Sequence, residues 1–273
     1  MSLFIASLNS GSNGNCYYIG NENEAVLVDA GISCRETERR MKRLGLQIKN
    51  VKAIFISHEH TDHISGLSVL ASRYQLPVYI TPATLRNGRM QIPPHLAVTF
   101  TAGETIQVGG LSVSAFVKHH DACDPHSFSI TGNQVTIGVF TDIGQPCAQL
   151  IDHFSRCHAA FLEANYDTDM LMSGRYPHFL KYRISGGKGH LSNAQALQVF
   201  TDHRPPFMSH VLLAHLSKDN NDPELALQLF REHAGDVKVS IASRFHESEV
   251  FHITGTAEII DNKRSMAIQT VLF

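Results

Sequence analysis

The sequence has few charged residues, no excess of charge of one sign and no long apolar run. Of its 273 residues 18% are charged, and 23 Lys+Arg against 25 Asp+Glu leave a formal net charge of −2. This near balance excludes a globally basic surface of the kind that packs DNA. Because no apolar run approaches the roughly 20 residues that cross a bilayer, we expect no membrane association.

The cysteines and the N-terminal segment exclude further classes of protein. The five cysteines are widely spaced and form no C-x-x-C pair, so neither a disulfide framework nor a cysteine-type zinc site is expected. The first ten residues lack a basic segment followed by an apolar one. We therefore expect no signal peptide and a cytoplasmic protein.

Short apolar runs alternate with helical patterns along the chain. Several runs, such as residues 135–140 and 211–214, are continuously apolar, as in strands that are covered on both faces. The mixed order, without a linker or a repeat, predicts one layered α/β domain over residues 1–273. Strands are predicted at residues 4–8, 16–19, 25–28, 53–56, 78–80, 111–117, 135–140, 159–162, 211–214 and 237–242.

Three helices are marked by capping residues, and a fourth follows a histidine-rich turn. Ser33 and Ser192 are each followed three residues later by Glu or Gln, which is a capping-box pattern, and Asp222 precedes a proline. We expect helices over residues 34–44, 64–74, 193–201 and 224–234. Residues 165–189 have no such regularity and carry a side-chain charge of +2. They predict an irregular basic insert, and a short C-terminal extension is expected from about residue 255.

Histidine is abundant, with 17 copies, and the densest cluster is the hexapeptide H-E-H-T-D-H directly after a predicted strand. Alternate residues share a face at a strand end, so His58 and His60 can point to the same place. Asp62 and His63 then open the next element within reach of that place. Imidazole and carboxylate ligands together suit Zn²⁺, Mn²⁺ or Fe²⁺. The hexapeptide therefore predicts a metal centre.

Single polar residues follow three later strands, at the edge of the sheet where sites of α/β proteins assemble. The pair His119-His120, Asp142 and His215 each come within three residues of the end of a predicted apolar strand. Because one hexapeptide cannot complete the coordination of two metals, these residues are further candidate ligands.

The order His-x-His-x-Asp-His, then a single His, Asp and His, resembles the metallo-β-lactamase superfamily. This resemblance covers most of the chain and implies an αββα sandwich of two mixed β-sheets flanked by helices, with a two-metal site along one edge. Finer segments resemble the YycJ/WalJ branch of bacterial metal-dependent DNA exonucleases, and two of them are also similar to ribonuclease Z. These segments are residues 10–15, 120–125, 163–165, 189–193 and 215–221.

The resemblance also implies two divalent metal ions, Zn, Mn or Fe, and a ligand for each position. The implied ligands are, for the first ion, His58, His60 and His120, for the second, Asp62, His63 and His215, and as a bridge, Asp142. His119 competes with His120 for the third position. We favour His120 because it immediately precedes the Asp-Ala pair of the family pattern.

The implied reaction is hydrolysis of a phosphodiester by a hydroxide that bridges the two metals, as in a DNA exonuclease. The implied catalytic residues are Asp62, His190 and Glu163, with His190 as the proton donor and Glu163 orienting its ring. One alternative is a phosphodiesterase for a small cyclic or nucleotide phosphodiester, and another is an RNA-processing nuclease. A third is a non-hydrolytic di-iron centre or metal-dependent binding module.

Two segments predict contacts with a nucleic-acid substrate, DNA rather than RNA. The glycine-rich loop after the first strand can turn its N–H groups and Ser12, Asn13 and Asn15 toward a phosphate. The alternative is a plain hairpin turn at Asn13 and the following glycine. Lys181 and Arg183 of the insert would contact backbone phosphates, with aromatic residues between them to stack on bases. Contact of the C-terminal extension with a second subunit would produce a homodimer.

Overall fold

Two seven-stranded mixed β-sheets form the centre of the computed structural model, which describes residues 2–255. The strands in chain order are β1 (Ser2–Asn9), β2 (Cys16–Gly20), β3 (Ala25–Val28), β4 (Val51–Phe55), β5 (Val78–Ile80), β6 (Ala97–Thr99), β7 (Thr105–Val108), β8 (Leu111–Val117), β9 (His126–Gly132), β10 (Val135–Phe140), β11 (Ala159–Glu163), β12 (His210–Ala214), β13 (Lys238–Ile241) and β14 (Phe251–Thr254). The first sheet has the order β14-β1-β2-β3-β4-β5-β6, and the second has the order β13-β12-β11-β10-β9-β8-β7. Strands β3 to β6 and β10 to β13 are parallel, and the other neighbours are antiparallel.

Helices cover the outer face of each sheet. They are α1 (Cys34–Arg43), α2 (Thr61–Ile64), α3 (Leu67–Tyr74), α4 (Pro82–Asn87), α5 (Ala148–Phe154), α6 (Thr168–Ser173), α7 (His178–Ser185), α8 (Asn193–His203) and α9 (Pro223–Arg231), with a 3₁₀ turn at Ile48–Asn50. Helices α1 and α3 pack on the first sheet, and α5, α8 and α9 pack on the second. The predicted αββα sandwich of two mixed sheets is therefore confirmed. The predicted C-terminal extension lies outside the described residues.

The central strands β10, β11 and β12 of the second sheet are apolar at nearly every residue because both of their faces are buried. In β11, Ala159 and Phe161 pack between the two sheets, while Ala160 and Leu162 pack under the helices. A strand in this position needs apolar side chains at every residue instead of at alternate ones. The same property made these strands recognisable in the sequence.

All ten predicted strands are present, with ends that differ by at most two residues. Strands β6, β7, β9 and β14 were not predicted. β6 and β7 lie at sheet edges and are mostly exposed, so their sequences lack a buried apolar run. β9 is buried but alternates with serine and threonine, which weakens the apolar signal.

The capping residues located three helices correctly. Ser192 and Gln195 form a complete capping box, Asp222 caps α9, and Ser33 accepts a hydrogen bond from the N–H three residues on. Two predictions were wrong. The helix expected over residues 64–74 is broken between α2 and α3, and the insert expected to be irregular contains α6 and α7.

These two errors have physical causes. The break lies at Gly66, whose N–H donates to the carbonyl of Ala30 (2.8 Å) in another loop instead of to a helical carbonyl. A Cβ at Gly66 would come within 1.8 Å of the Ile32 carbonyl oxygen in the same loop. Asp167 caps α6, but α7 has no fully buried residue. An exposed helix of this kind shows no apolar periodicity in the sequence.

We expect Gly66→Ala to lower the free energy of unfolding by about 1–3 kcal/mol, because backbone atoms must move to admit the new methyl group. Urea unfolding followed by circular dichroism measures the change. The control is Ser72→Ala on the exposed face of α3, which should leave the midpoint nearly unchanged. Equal midpoints for the two variants would show that the close approach at Gly66 is not a constraint.

Candidate metal centre

The carboxyl ends of strands from both sheets meet at one edge of the sandwich, where the candidate ligands lie. Asp29 and His215 directly follow β3 and β12, Asp142 lies two residues after the end of β10, and the φ angles of the three are 61°, 56° and 55°. This left-handed conformation is uncommon for residues other than glycine and costs energy. It turns the chain sharply at the strand end, so that a polar side chain can point into the site.

Three imidazoles form the first set of convergent donor atoms. Nε2 of His58 lies 3.1 Å from Nδ1 of His60, and Nε2 of His120 lies 3.3 Å from the same atom. Ligands about 2.0–2.1 Å from a tetrahedral zinc would be separated by about 3.3 Å. The set therefore fits a metal ion. His119, by contrast, is exposed.

A carboxylate and two imidazoles form the second set. Oδ2 of Asp62 lies 3.5 Å from Nε2 of His63 and 3.5 Å from Nε2 of His215. Asp62 and His63 belong to the first turn of α2, whereas His215 follows β12 in the other sheet. The second set therefore depends on the packing of one sheet against the other.

Asp142 lies between the two sets of donors. Its Oδ2 is 3.2 Å from Nε2 of His63, and its Oδ1 is 3.8 Å from Nε2 of His120. Within residues 2–255, Oδ2 of Asp142 and Nε2 of His215 are buried and have no hydrogen-bond partner. Buried polar atoms without partners are costly. Their position among the donors is what bound metal would explain.

The carboxylates around His63 and His215 in the second set favour positive charge at those residues. Burial opposes the protonation of His63, but the carboxylates of Asp142, Asp29 and Asp62 raise its pKa well above the usual value. His215 behaves similarly, since Asp142, Asp62 and Glu163 outweigh burial and raise its pKa to about 10. Without metal, protons on these two rings balance the buried negative charge.

Two histidines of the first set, His58 and His120, are neutral. Burial, together with the neighbouring His63 and Lys118, holds the pKa of His58 well below its usual value. Burial likewise lowers the pKa of His120 to about 3, although Asp142 acts in the opposite direction. Neutral rings keep a lone pair available, as metal ligands must.

Asp29 orients His63 and was not identified from the sequence. Its Oδ2 accepts a hydrogen bond from Nδ1 of His63 (2.7 Å) and from the hydroxyl of Ser57 (2.9 Å), and its Oδ1 accepts from the N–H of Ser57 (2.8 Å). A hydrogen held on Nδ1 leaves Nε2 free to bind metal. The signal was available, because Asp29 follows an apolar strand just as Asp142 does.

Glu163 similarly holds two histidines. Its Oε1 is 2.8 Å from Nδ1 of His190 and 3.0 Å from Nδ1 of His215, and its Oε2 accepts from the N–H groups of Ile143 (2.6 Å) and Leu191 (3.2 Å). Burial opposes its ionisation, but His190 and His215 lower its pKa to about 2. The ionised Glu163 can only accept, so each ring carries its hydrogen on Nδ1. The side chain of His190 is 21% exposed, and Nε2 is the ring nitrogen that Glu163 does not contact.

Further buried groups support the ligands, although the sequence analysis predicted no such role for them. The Nδ1–H of His120 donates to the carbonyl of Gly189 (3.0 Å), and the side chain of Asn165 donates to the carbonyl of His215 (2.6 Å). The buried ammonium of Lys118 donates to the carbonyl of Thr141 (2.7 Å), directly before Asp142. Each bond fixes the backbone or ring of one candidate ligand.

A cleft of about 220 Å³ opens beside His190 and His215. Of the predicted substrate contacts, Ser12 and Arg183 line this cleft. Arg183 is paired with Asp121 (2.6 Å). The charges of the insert are thus partly neutralised within the protein.

The structure gives the other predicted contacts different surroundings. The ammonium of Lys181 donates to the carbonyl of Met172 (2.6 Å), and the side chain of Asn13 donates to the carbonyl of Arg244 (2.8 Å). Asn15 is fully buried, with Nδ2 3.2 Å from Oδ2 of Asp62. It therefore supports a candidate ligand instead of facing the cleft.

The glycine-rich loop joins β1 to β2 in a hairpin, but the predicted turn is shifted. The N–H of Gly14 donates to the carbonyl of Gly11 (2.9 Å), so Ser12 and Asn13 occupy the central positions of the turn. A tight turn centred on Asn13 and Gly14 was the expected alternative, and it is not formed. Because of this shift the hydroxyl of Ser12 is exposed at the cleft.

This fold and site define a class of proteins. The family model described as the metallo-β-lactamase superfamily matches residues 10–191, and the chain belongs to this superfamily. Membership and the convergent donor sets make the chain a metal-dependent hydrolase.

Two curated relatives cover most of the chain. The chain is 37% identical over 229 residues to the exodeoxyribonuclease YycJ of Bacillus anthracis, and the matched region covers 83% of this chain and 87% of the relative. It is 31% identical over 224 residues to the exodeoxyribonuclease WalJ of Streptococcus pneumoniae, covering 80% and 83%. The resemblance predicted from the motifs is confirmed by these matches.

A solved structure shares the fold. It is the metallo-β-lactamase fold protein YhfI from Bacillus subtilis, with a TM-score of 0.72 at 15% identity over 92% of this chain and 100% of that chain. At this identity the likeness concerns the fold alone.

Within residues 2–255 none of the helices combines the length and the apolar character needed to span a bilayer.

We expect Asp29→Asn to weaken zinc binding by about 10- to 100-fold, the usual effect of removing a group that orients a ligand. Asparagine has one acceptor oxygen instead of two, so one of the donors from Ser57 and His63 loses its partner. Asparagine tolerates the left-handed backbone at this position. Competition with a fluorescent chelator measures the dissociation constant.

The matched control for this experiment is Asp152→Asn, which changes an exposed carboxylate on α5. It should bind zinc like the wild-type protein. If both variants bind zinc equally, Asp29 does not orient a metal ligand.

Proposed function

We propose that the chain is a two-metal phosphodiester hydrolase that degrades DNA from an end. The observation that carries this proposal is the position of Asp142 between two sets of donors, one of three histidines and one of Asp62, His63 and His215. The names of the two curated relatives, both exodeoxyribonucleases, support DNA as the substrate.

Two divalent ions bound at these donors would supply a nucleophilic water of lowered pKa and would offset the negative charge of a phosphodiester. His58, His60 and His120 would hold one ion, and Asp62, His63 and His215 would hold the other. Asp142 would contact both. Zinc, manganese and iron all suit this mixture of imidazole and carboxylate.

In this proposal His190 protonates the leaving oxygen. It lines the cleft, and Glu163 holds the hydrogen on its Nδ1, so Nε2 is the atom that would face a substrate. A positioned histidine is the usual donor at neutral pH. Glu163 is a positioning residue in this proposal, since it acts through His190 and His215.

We expect the metal-loaded protein to shorten end-labelled DNA from one end and EDTA to abolish the cleavage. Asp142→Asn should lower the rate by about 10³-fold, because it removes a carboxylate that would help to hold the two ions. Denaturing gels of labelled single-stranded and double-stranded DNA measure the products. Asp152→Asn is again the control, and it should retain the wild-type rate.

The products decide between the proposal and its alternatives. Internal fragments from circular DNA would contradict degradation from an end. Intact DNA together with turnover of a cyclic nucleotide would favour a small-molecule phosphodiesterase, and cleavage of RNA alone would favour RNA processing. An Asp142→Asn variant as active as Asp152→Asn would contradict the two-metal site.

We expect His190→Gln to lower the rate on DNA by about 10²–10⁴-fold, the range for loss of a general acid. The loss should be much smaller with bis-p-nitrophenyl phosphate, since p-nitrophenolate departs without a proton. Initial rates on both substrates measure the difference. His119→Gln serves as the control, because it changes an exposed imidazole that precedes His120 in the chain. An equal loss on both substrates would contradict proton donation by His190.

A further inference from the structure

Arg244 lies beside the candidate metal centre, on the segment between β13 and β14. The carbonyl of Ser243 accepts from the N–H of Ser10 (3.1 Å), and the hydroxyl of Ser10 accepts from the N–H of His215 (2.8 Å). The carbonyl of Arg244 accepts from the side chain of Asn13 (2.8 Å). The segment that carries Arg244 is thus tied by hydrogen bonds to a candidate metal ligand.

The positive charge of Arg244 is not neutralised by a carboxylate within residues 2–255. Its Nη2 lies 3.3 Å from the hydroxyl of Ser12, and its Nη1 is buried without a hydrogen-bond partner among those residues. Arg175 and Arg183 of the insert, by contrast, are each paired with an aspartate, at 2.9 and 2.6 Å. A guanidinium with unfilled donors is suited to an anionic ligand.

A second pocket of about 110 Å³ separates Arg244 from the segment that follows His215. Its two charged lining residues, Lys218 and Arg244, are both positive. Ser217 lines this pocket and also the cleft beside the metal centre, so the two cavities adjoin. An anion in the second pocket would therefore be a near neighbour of a group bound at the metals.

Phe245 gives the same pocket an aromatic wall. It is 71% exposed, and its ring centre lies 6.0 Å from the guanidinium carbon of Arg244. A free cation beside an exposed ring is the combination with which proteins hold single-stranded nucleic acid, since the cation binds phosphate and the ring stacks on a base.

We infer that Arg244 and Phe245 form a strand-binding subsite for a polynucleotide. Arg244, with Ser12 and Lys218, binds a backbone phosphate next to the one at the metal centre, and Phe245 stacks on a base. This inference rests on the proposed function and refines its substrate. A cyclic mononucleotide has no second phosphate to occupy the pocket, whereas a DNA strand has one at every step.

The test is the binding of a fluorescent 12-nucleotide single strand, followed by anisotropy in EDTA to prevent cleavage. Arg244→Gln should raise Kd about fivefold or more and lower the slope of log Kd against log salt by about 0.7, the value for one phosphate contact on a single strand. Phe245→Ala should raise Kd about tenfold and leave the salt slope unchanged. Phe245→Trp, which keeps an aromatic ring, should bind like the wild type.

The matched control is Arg156→Gln, which also removes one positive charge. Arg156 precedes the first residue of β11, whereas Glu163 of the candidate site is the last residue of that strand. It should retain the wild-type Kd and salt slope. Arg244→Gln and Phe245→Ala variants that bind like this control, while the wild type binds and shortens DNA, would overturn the subsite alone. A wild type that neither binds nor shortens the strand would overturn the proposed function, and the subsite with it.

Discussion

Negative charge buried at one edge of the sandwich is the constraint on which the rest of the site depends. Asp29, Asp142 and Glu163 are almost fully buried, and Asp62 lies beside them. Buried carboxylates are costly unless donors and cations surround them. The structure meets this cost with imidazole hydrogens, backbone N–H groups and the buried Lys118. Within residues 2–255 it leaves Oδ2 of Asp142 and Nε2 of His215 without a hydrogen-bond partner, where the two donor sets meet.

The two sheets hold these groups in a conformation that the local chain would not adopt. Asp29, Asp142 and His215 have left-handed backbones, which cost about 1–3 kcal/mol each. Their strands are covered on both faces, so packing on either side determines where each strand ends. A rigid core thus supports strained residues at its edge, and the side chains are directed before a substrate arrives.

The predictable parts of the fold were those with a strong local signal. Central strands such as β10 and β12 are apolar at nearly every residue, and Ser192 and Asp222 carry the hydrogen bonds that begin α8 and α9. Exposed elements such as β7 and α7 have no such pattern. The break at Gly66 was not predictable either, because it arises from contact with a loop more than thirty residues away in sequence.

The sequence by itself determined the class of protein and its candidate metal ligands. Four of those ligands lie within six residues, and each of the other three follows an apolar strand. Their chemistry and their place at a strand end are local properties. Only the tertiary structure decided which supporting groups are engaged and which charges are free. Arg183 is neutralised by Asp121, whereas Arg244 lies beside Ser12 with a donor that finds no partner among residues 2–255. The physical reason is that a charge is balanced by its neighbours in space, and those neighbours come from distant parts of the chain.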